Sequence, residues 1–179
     1  MDIYNIEPNV FYFDDDAVGL QPKTSHPRFV EHFSHSFYYD CADEEAPFGS
    51  DTGFDVLMSL SESVKREGKL SFADFPKDLI ESVWKMKYIP VDSLCRDNIM
   101  SILKLNEIDV IQSDIVTCAV AFGQIKITGG LDTKLKECAV DSIKRRIITA
   151  RLLGWGESKV LYQMRDDLSS FKNCFTLDQ

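Results

Sequence analysis

Residues 113–123 are apolar on nearly every side of a helical wheel. A helix without a polar face is buried on all faces. This segment therefore belongs at the centre of the fold, with Gly129-Gly130 ending it and other elements packed around it. The chain has the material to do so: 179 residues, 44% hydrophobic and 11% aromatic. Such a composition excludes global disorder and suits one domain. The expected fold class is mainly α, a single compact multi-helix domain over residues 1–179 with a loop-rich, acidic N-terminal segment.

Three stretches build that expectation. Residues 1–25 lack a helical period; Val10-Phe11-Tyr12-Phe13 could form a short strand before Asp14-Asp15-Asp16 stops it. Residues 26–55 hold every histidine and a PFGSDTG loop, and Phe29, Val30, Phe33 and Phe37 are spaced for a helix over 27–38. Residues 56–179 form a helical body. Ser50 or Asp51 caps a helix whose inner stripe is Phe54, Leu57, Leu60 and Val64, ending near Gly68. The next helix starts at Asp74, with Phe75, Leu79, Ile80, Val83 and Trp84 inside, and another starts at Asp92 or Ser93, with Leu94, Met100, Ile102 and Leu103 inside. Residues 131–153 carry Leu135, Ala139, Ile143, Ile147 and Ala150 at near 3.6 spacing, acids early and bases late, as the helix dipole favours. A last helix from about Ser158 faces Leu161, Met164, Leu168 and Phe171 inward, and Trp84 and Trp155 read as core.

Charge is unevenly placed. The net charge is −9, yet residues 1–55 hold 12 Asp/Glu against 2 Lys/Arg, and residues 56–179 hold 17 against 18. The first third is thus at −10 and the remainder at +1. That balance excludes a nucleic-acid partner, which needs cations to displace phosphate counterions. The five cysteines, 41, 95, 118, 138 and 174, are at least 20 residues apart, fit reduced thiols, and offer no CxxC pair. The start of the chain has neither the basic nor the apolar region of a signal peptide. The longest apolar stretch, 116–122, falls short of the roughly 20 residues that cross a bilayer. The expected setting is cytoplasmic, without membrane contact.

Several short motifs invite chemistry. Asp51-Thr52-Gly53 spells the loop of aspartic proteases, but the flanking apolar strand is missing and helix capping explains it. Asp14, Asp16 and Gly19 hint at a calcium loop, but Val18 stands at a ligand position and Ser25 where the closing Glu belongs. A solvated acidic turn fits better. His26, His32 and His35 lie within ten residues and precede Asp40, Asp51 and Asp55, so a metal site on His26, His32, Asp51 and Asp55, with Asp40 nearby, is one reading. The bland reading has these histidines ringing an apolar stripe. Lys144-Arg145-Arg146 with Arg151 points in several directions on a helix and reads as a solvated surface.

One set of residues resembles a known family. His26-Pro27, Phe33, Phe37-Tyr38-Tyr39-Asp40 and above all Ala46-Pro47-Phe48-Gly49-Ser50-Asp51-Thr52-Gly53, with Asp55 and Leu57, are similar to the YfeS-like bacterial proteins. Residues 119–125, 130–132 and 135–146 are similar as well, so the likeness spans about 24–150. Some members carry a WGR domain. Here Gly154-Trp155-Gly156-Glu157 lacks the Arg and too few residues follow, so no DNA-linked role carries over. The resemblance implies a helical fold and directs attention to residues 48–55. It supplies no catalytic residues and no cofactor.

The functional expectation is a non-enzymatic binding module, inhibitor- or immunity-like in one instance, that takes a basic protein partner on its acidic third. Its binding residues would be His26, Asp40, Asp43, Glu44, Phe48, Asp51 and Asp55. The alternatives are a metal-dependent enzyme on the His/Asp set of residues 26–55, and a purely structural or regulatory domain.

Overall fold

The computed structural model describes residues 10–68 and 72–173. Among them there are six α-helices and no strand: α1 (Pro27–His32), α2 (Asp51–Glu67), α3 (Phe75–Asp78), α4 (Arg96–Thr128), α5 (Thr133–Leu152) and α6 (Lys159–Ser170). Short 3-10 turns occupy Pro22–Thr24 and Ser36–Tyr39, and α3 runs on into a π-helical turn, Leu79–Val83.

The all-apolar segment lies where its composition requires. Val116 and residues 118–122 are completely buried in the second half of α4. That helix packs against α1, α2, α3 and α5, and α5 in turn against α6. By length and composition α4 could cross a bilayer, with a mean hydropathy of 1.3 over an 18-residue window, and 72% of that window is buried inside the protein. Contiguous apolar runs miss this because Ser113, Asp114 and Thr117 interrupt them.

α4 joins what the sequence reads as two helices. It begins at Arg96 rather than at Asp92 or Ser93, and it bends at Asn106, whose φ of −147° and ψ of 43° leave the helical region. On either side of the bend, Ile99, Leu103 and Val110 form a small satellite core with Ile148 and Leu152 of α5.

The described part of the N-terminal segment forms turns and irregular structure and no strand. Its backbone goes to the end of α4 instead of to a sheet. Tyr12 N–H donates to Ile127 O at 3.0 Å and His26 N–H to Lys126 O at 2.8 Å. Carbonyls in the last turn of a helix have no partner within it, so residues 12–26 act as a cap on the central helix. The helix expected over 27–38 is interrupted. α1 ends at His32 and the chain restarts as the 3-10 turn at Ser36, which lets Phe29, Phe33 and Tyr38 all enter the core.

The stripes of α2, α5 and α6 are buried as expected at Leu57, Leu60, Val64, Leu135, Ala139, Ile143, Ile147, Ala150, Leu161, Met164, Leu168 and Phe171. Three expected core residues are not. Phe54, Val83 and Trp155 are exposed. Phe54 lies outside the buried arc of α2, Val83 ends the π turn, and Trp155 sits in the loop between α5 and α6.

Candidate functional site

The family-like loop is built by backbone packing. Phe48 is buried and its ring lies 6.5 Å from that of Phe29. A Cβ on Gly49 would stand 1.8 Å from Asp43 O, and one on Gly53 would stand 2.4 Å from Pro47 O. Both glycines are required by these close approaches. Ser50 Oγ accepts from Gly53 N–H at 3.0 Å, so the DTG sequence is a capped helix start. Asp40 accepts from Ala42 N–H and Asp43 from Glu45 N–H, which shapes the preceding loop.

The three histidines go separate ways. His26 is buried, its ring lies against Gly129, and its Nδ1 accepts from Arg28 N–H at 3.1 Å. Burial, and then the Arg28 charge, lower its pKa. His32 Nε2 donates to Asp167 O at 2.7 Å, and His35 is exposed and stacks on Phe37. Asp40, Asp51 and Asp55 are exposed. Among the described residues no three His, Cys, Asp or Glu stand close enough to hold a metal ion.

The acidic turn is only partly solvated. Asp15 and Asp16 are exposed, but Asp14 is not free. It accepts from the buried Lys126 Nζ at 2.9 Å and from Thr24 Oγ1 at 2.5 Å. Lys126 also donates to Thr24 O. Burial lowers the Lys126 pKa, and Asp14 raises it.

Arg145 overturns the solvated reading of the basic run. It is 1% exposed, as is Asp114 opposite on α4. Arg145 Nη2 donates to Asp114 Oδ1 at 2.8 Å and Nε to Oδ2 at 3.0 Å, while Nη1 and Nη2 reach Pro90 O and Ile89 O. Burial raises the Asp114 carboxyl pKa more than the Arg145 contacts lower it, leaving it at about 6. Its neighbours do stay at the surface, where Lys144 pairs with Asp141 and Arg151 with Glu157. A signal for the buried pair was present in the sequence. A carboxylate inside an otherwise apolar, all-buried helix needs a cationic partner.

Two features face outward. On the first turns of α2, Asp51, Phe54, Asp55 and Met58 follow the i, i+3, i+4, i+7 pattern of one helix face, and all four are exposed, Phe54 at 44% and Met58 at 41%. Beside it a cleft of about 330 Å³ opens between the acidic loop at Glu44 and Glu45, α4 at Ile111 and Ile115, α5 at Arg146 and Thr149, and Trp155. The Thr149 hydroxyl is buried and has no hydrogen-bond partner. Motif reading misses this cleft because its walls come from four separate segments.

A curated relative settles the lineage. The chain is 46% identical over 164 residues to "Uncharacterized protein YfeS" of Escherichia coli (strain K12), covering 90% of this chain and 67% of the relative. The chain belongs to the YfeS-like family. No protein-family model matches it, and no solved structure matches it. Within the family likeness, the loop at 46–57 is the motif whose glycines and cap serine the fold uses.

Proposed function

We infer that this protein is a cytoplasmic binding module that docks a basic protein partner on the outward face of α2 and the acidic loop before it. One observation carries the reading: Asp51, Phe54, Asp55 and Met58 share a single exposed helix face. Two large apolar side chains give a partner anchors, and two carboxylates beside them select a basic segment and speed encounter. Exposed Asp40 and Glu44 extend the negative field along the loop. The free thiols of Cys41, Cys95, Cys118 and Cys138 suit a reducing compartment. An inhibitor of a basic toxin is one instance of such a module.

A photo-crosslinking amino acid at position 54, in cells expressing the protein at native level, tests this. The expected result is one dominant adduct whose contact peptide is basic. Asp51→Lys with Asp55→Lys should abolish that adduct while the folded protein remains. The reading fails if the adduct survives charge reversal, or if position 54 captures no more than a probe at exposed Glu137 on α5.

A further inference from the structure

We propose that the cleft between the acidic loop, α4 and α5 is a binding site for the zwitterion of an apolar or aromatic amino acid. This site adjoins the α2 face and shares Glu44 with the docking surface, but its argument does not depend on a protein docking there.

The first observation is the unpartnered Thr149 hydroxyl. A helical threonine ordinarily returns its proton to the carbonyl four residues back, as Thr117 does to Ser113 O at 2.7 Å and Thr128 to Gln124 O at 2.7 Å. Thr149 is 3% exposed, lines the cleft, and makes no such bond. A buried hydroxyl without a partner carries a free-energy penalty, and a ligand acceptor in the cleft would remove it.

The second observation is Arg146, three residues earlier on α5 and hence on the same side of the helix. It also lines the cleft, donates from Nη2 to Glu45 O at a long 3.4 Å, and interacts with the Cys118 thiol and, electrostatically, with Asp114. No carboxylate among the described residues lies within ion-pair distance of it, whereas Arg145, Arg151 and Arg165 all have one. Its fork holds only a long bond to a carbonyl and a weak thiol contact, so a ligand carboxylate entering the cleft would be the stronger, charge-assisted partner.

The remaining walls set the rest of the ligand. Glu44 and Glu45 bring negative charge to the loop side of the cleft. Asp114 is neutralised from behind by Arg145. A simple carboxylic acid would oppose the two glutamates, and a simple amine would leave Arg146 and Thr149 unused. A molecule with both groups satisfies both sides. Between them lie Ile111, Ile115 and the indole of Trp155, which is 64% exposed. That apolar strip takes the amino-acid side chain. A volume of about 330 Å³ is at the small end of ligand pockets and suits a single residue.

Calorimetric titration of the intact protein with L-phenylalanine and L-leucine, beside phenethylamine and 3-phenylpropionate, tests the site. One of the two amino acids should bind with a Kd of about 1 mM or tighter. Both one-charge analogues should bind at least about tenfold more weakly. Arg146→Met should weaken binding by the same factor. Thr149→Val should weaken binding while raising the melting temperature of the unliganded protein, because it deletes the orphan hydroxyl without opening a void. No heat with either amino acid at about 5 mM, equal affinity for 3-phenylpropionate, or unchanged affinity in Thr149→Val would each overturn the proposal.

Discussion

Asp114 and Asp55 are both helical carboxylates, yet they do opposite things. Asp114 is sealed between α4 and α5 against Arg145, whose guanidinium also holds the carbonyls of Ile89 and Pro90. Asp55 faces water on α2 beside Phe54 and Met58. The near-neutral body, at +1, contains the charges that hold the structure together, and the acidic third, at −10, contains charges the fold mostly does not use. Net charge thus marks where charge is available for binding, and a local balance of charge marks where it has been paired. Asp14 is the main exception, an acidic-third residue drawn into the body by Lys126, and Glu45 also reaches the body by accepting from Ser158 Oγ.

The largest expected effect comes from breaking the buried pair. Asp114→Asn or Arg145→Met alone should lower unfolding free energy by about 3–5 kcal/mol at pH 7, read by urea denaturation, because each strands a buried partner. The double substitution should cost clearly less than the sum of the two, since no unpaired charge remains. Additive losses would mean that the two side chains act independently.

Asp14→Asn probes the exception. Lys126 would keep the Thr24 carbonyl and an amide oxygen as acceptors but lose the carboxylate charge that offsets its burial. The expected loss is about 2 kcal/mol, below that for Asp114, because Asp14 remains in partial contact with water. A loss near zero would return Asp14 to the solvated acids.

A smaller effect concerns pH. The folded-state pKa of His26 is depressed by burial. Its contribution to stability is therefore complete above the unfolded value of about 6.5 and is lost as pH falls through the folded value. His26→Asn can keep the N-cap acceptor for Arg28 N–H without the titrating ring. Wild-type stability should fall relative to that variant on acidification below pH 6.5. The raised Asp114 pKa tilts both proteins in the same opposite sense and cancels from the comparison. Parallel curves would show that His26 protonates as easily folded as unfolded.

The sequence makes the helices legible where period and caps agree. Ser50 and Gly68 bracket α2, and the five-residue stripe of α5 is fully buried, because each depends on local spacing. What depends on contacts between distant residues is not legible. The segment 10–13 has the composition of a strand, and only the carbonyls at the end of α4, more than a hundred residues away, show why it is a cap. Trp155 looks like core by size, but no neighbouring element covers it. Arg145 looks like surface because a helical wheel shows one buried stripe, whereas α5 is packed by both α4 and α6 and buries a broader arc that includes Ser142, Arg145 and Thr149. Of the candidate residues, Asp51 and Asp55 are exposed, while His26 and Phe48 are buried in the fold.

The central contrast can be read in one pair of urea titrations, Asp51→Asn with Asp55→Asn against Asp114→Asn. The account predicts that the α2 face variant stays within about 1 kcal/mol of wild type, since a lost helix-terminus interaction is offset by relief of like-charge repulsion, while Asp114→Asn loses about 3 kcal/mol or more. A face variant destabilised as much as Asp114→Asn would show that the exposed acids of α2 are structural, and would contradict the account.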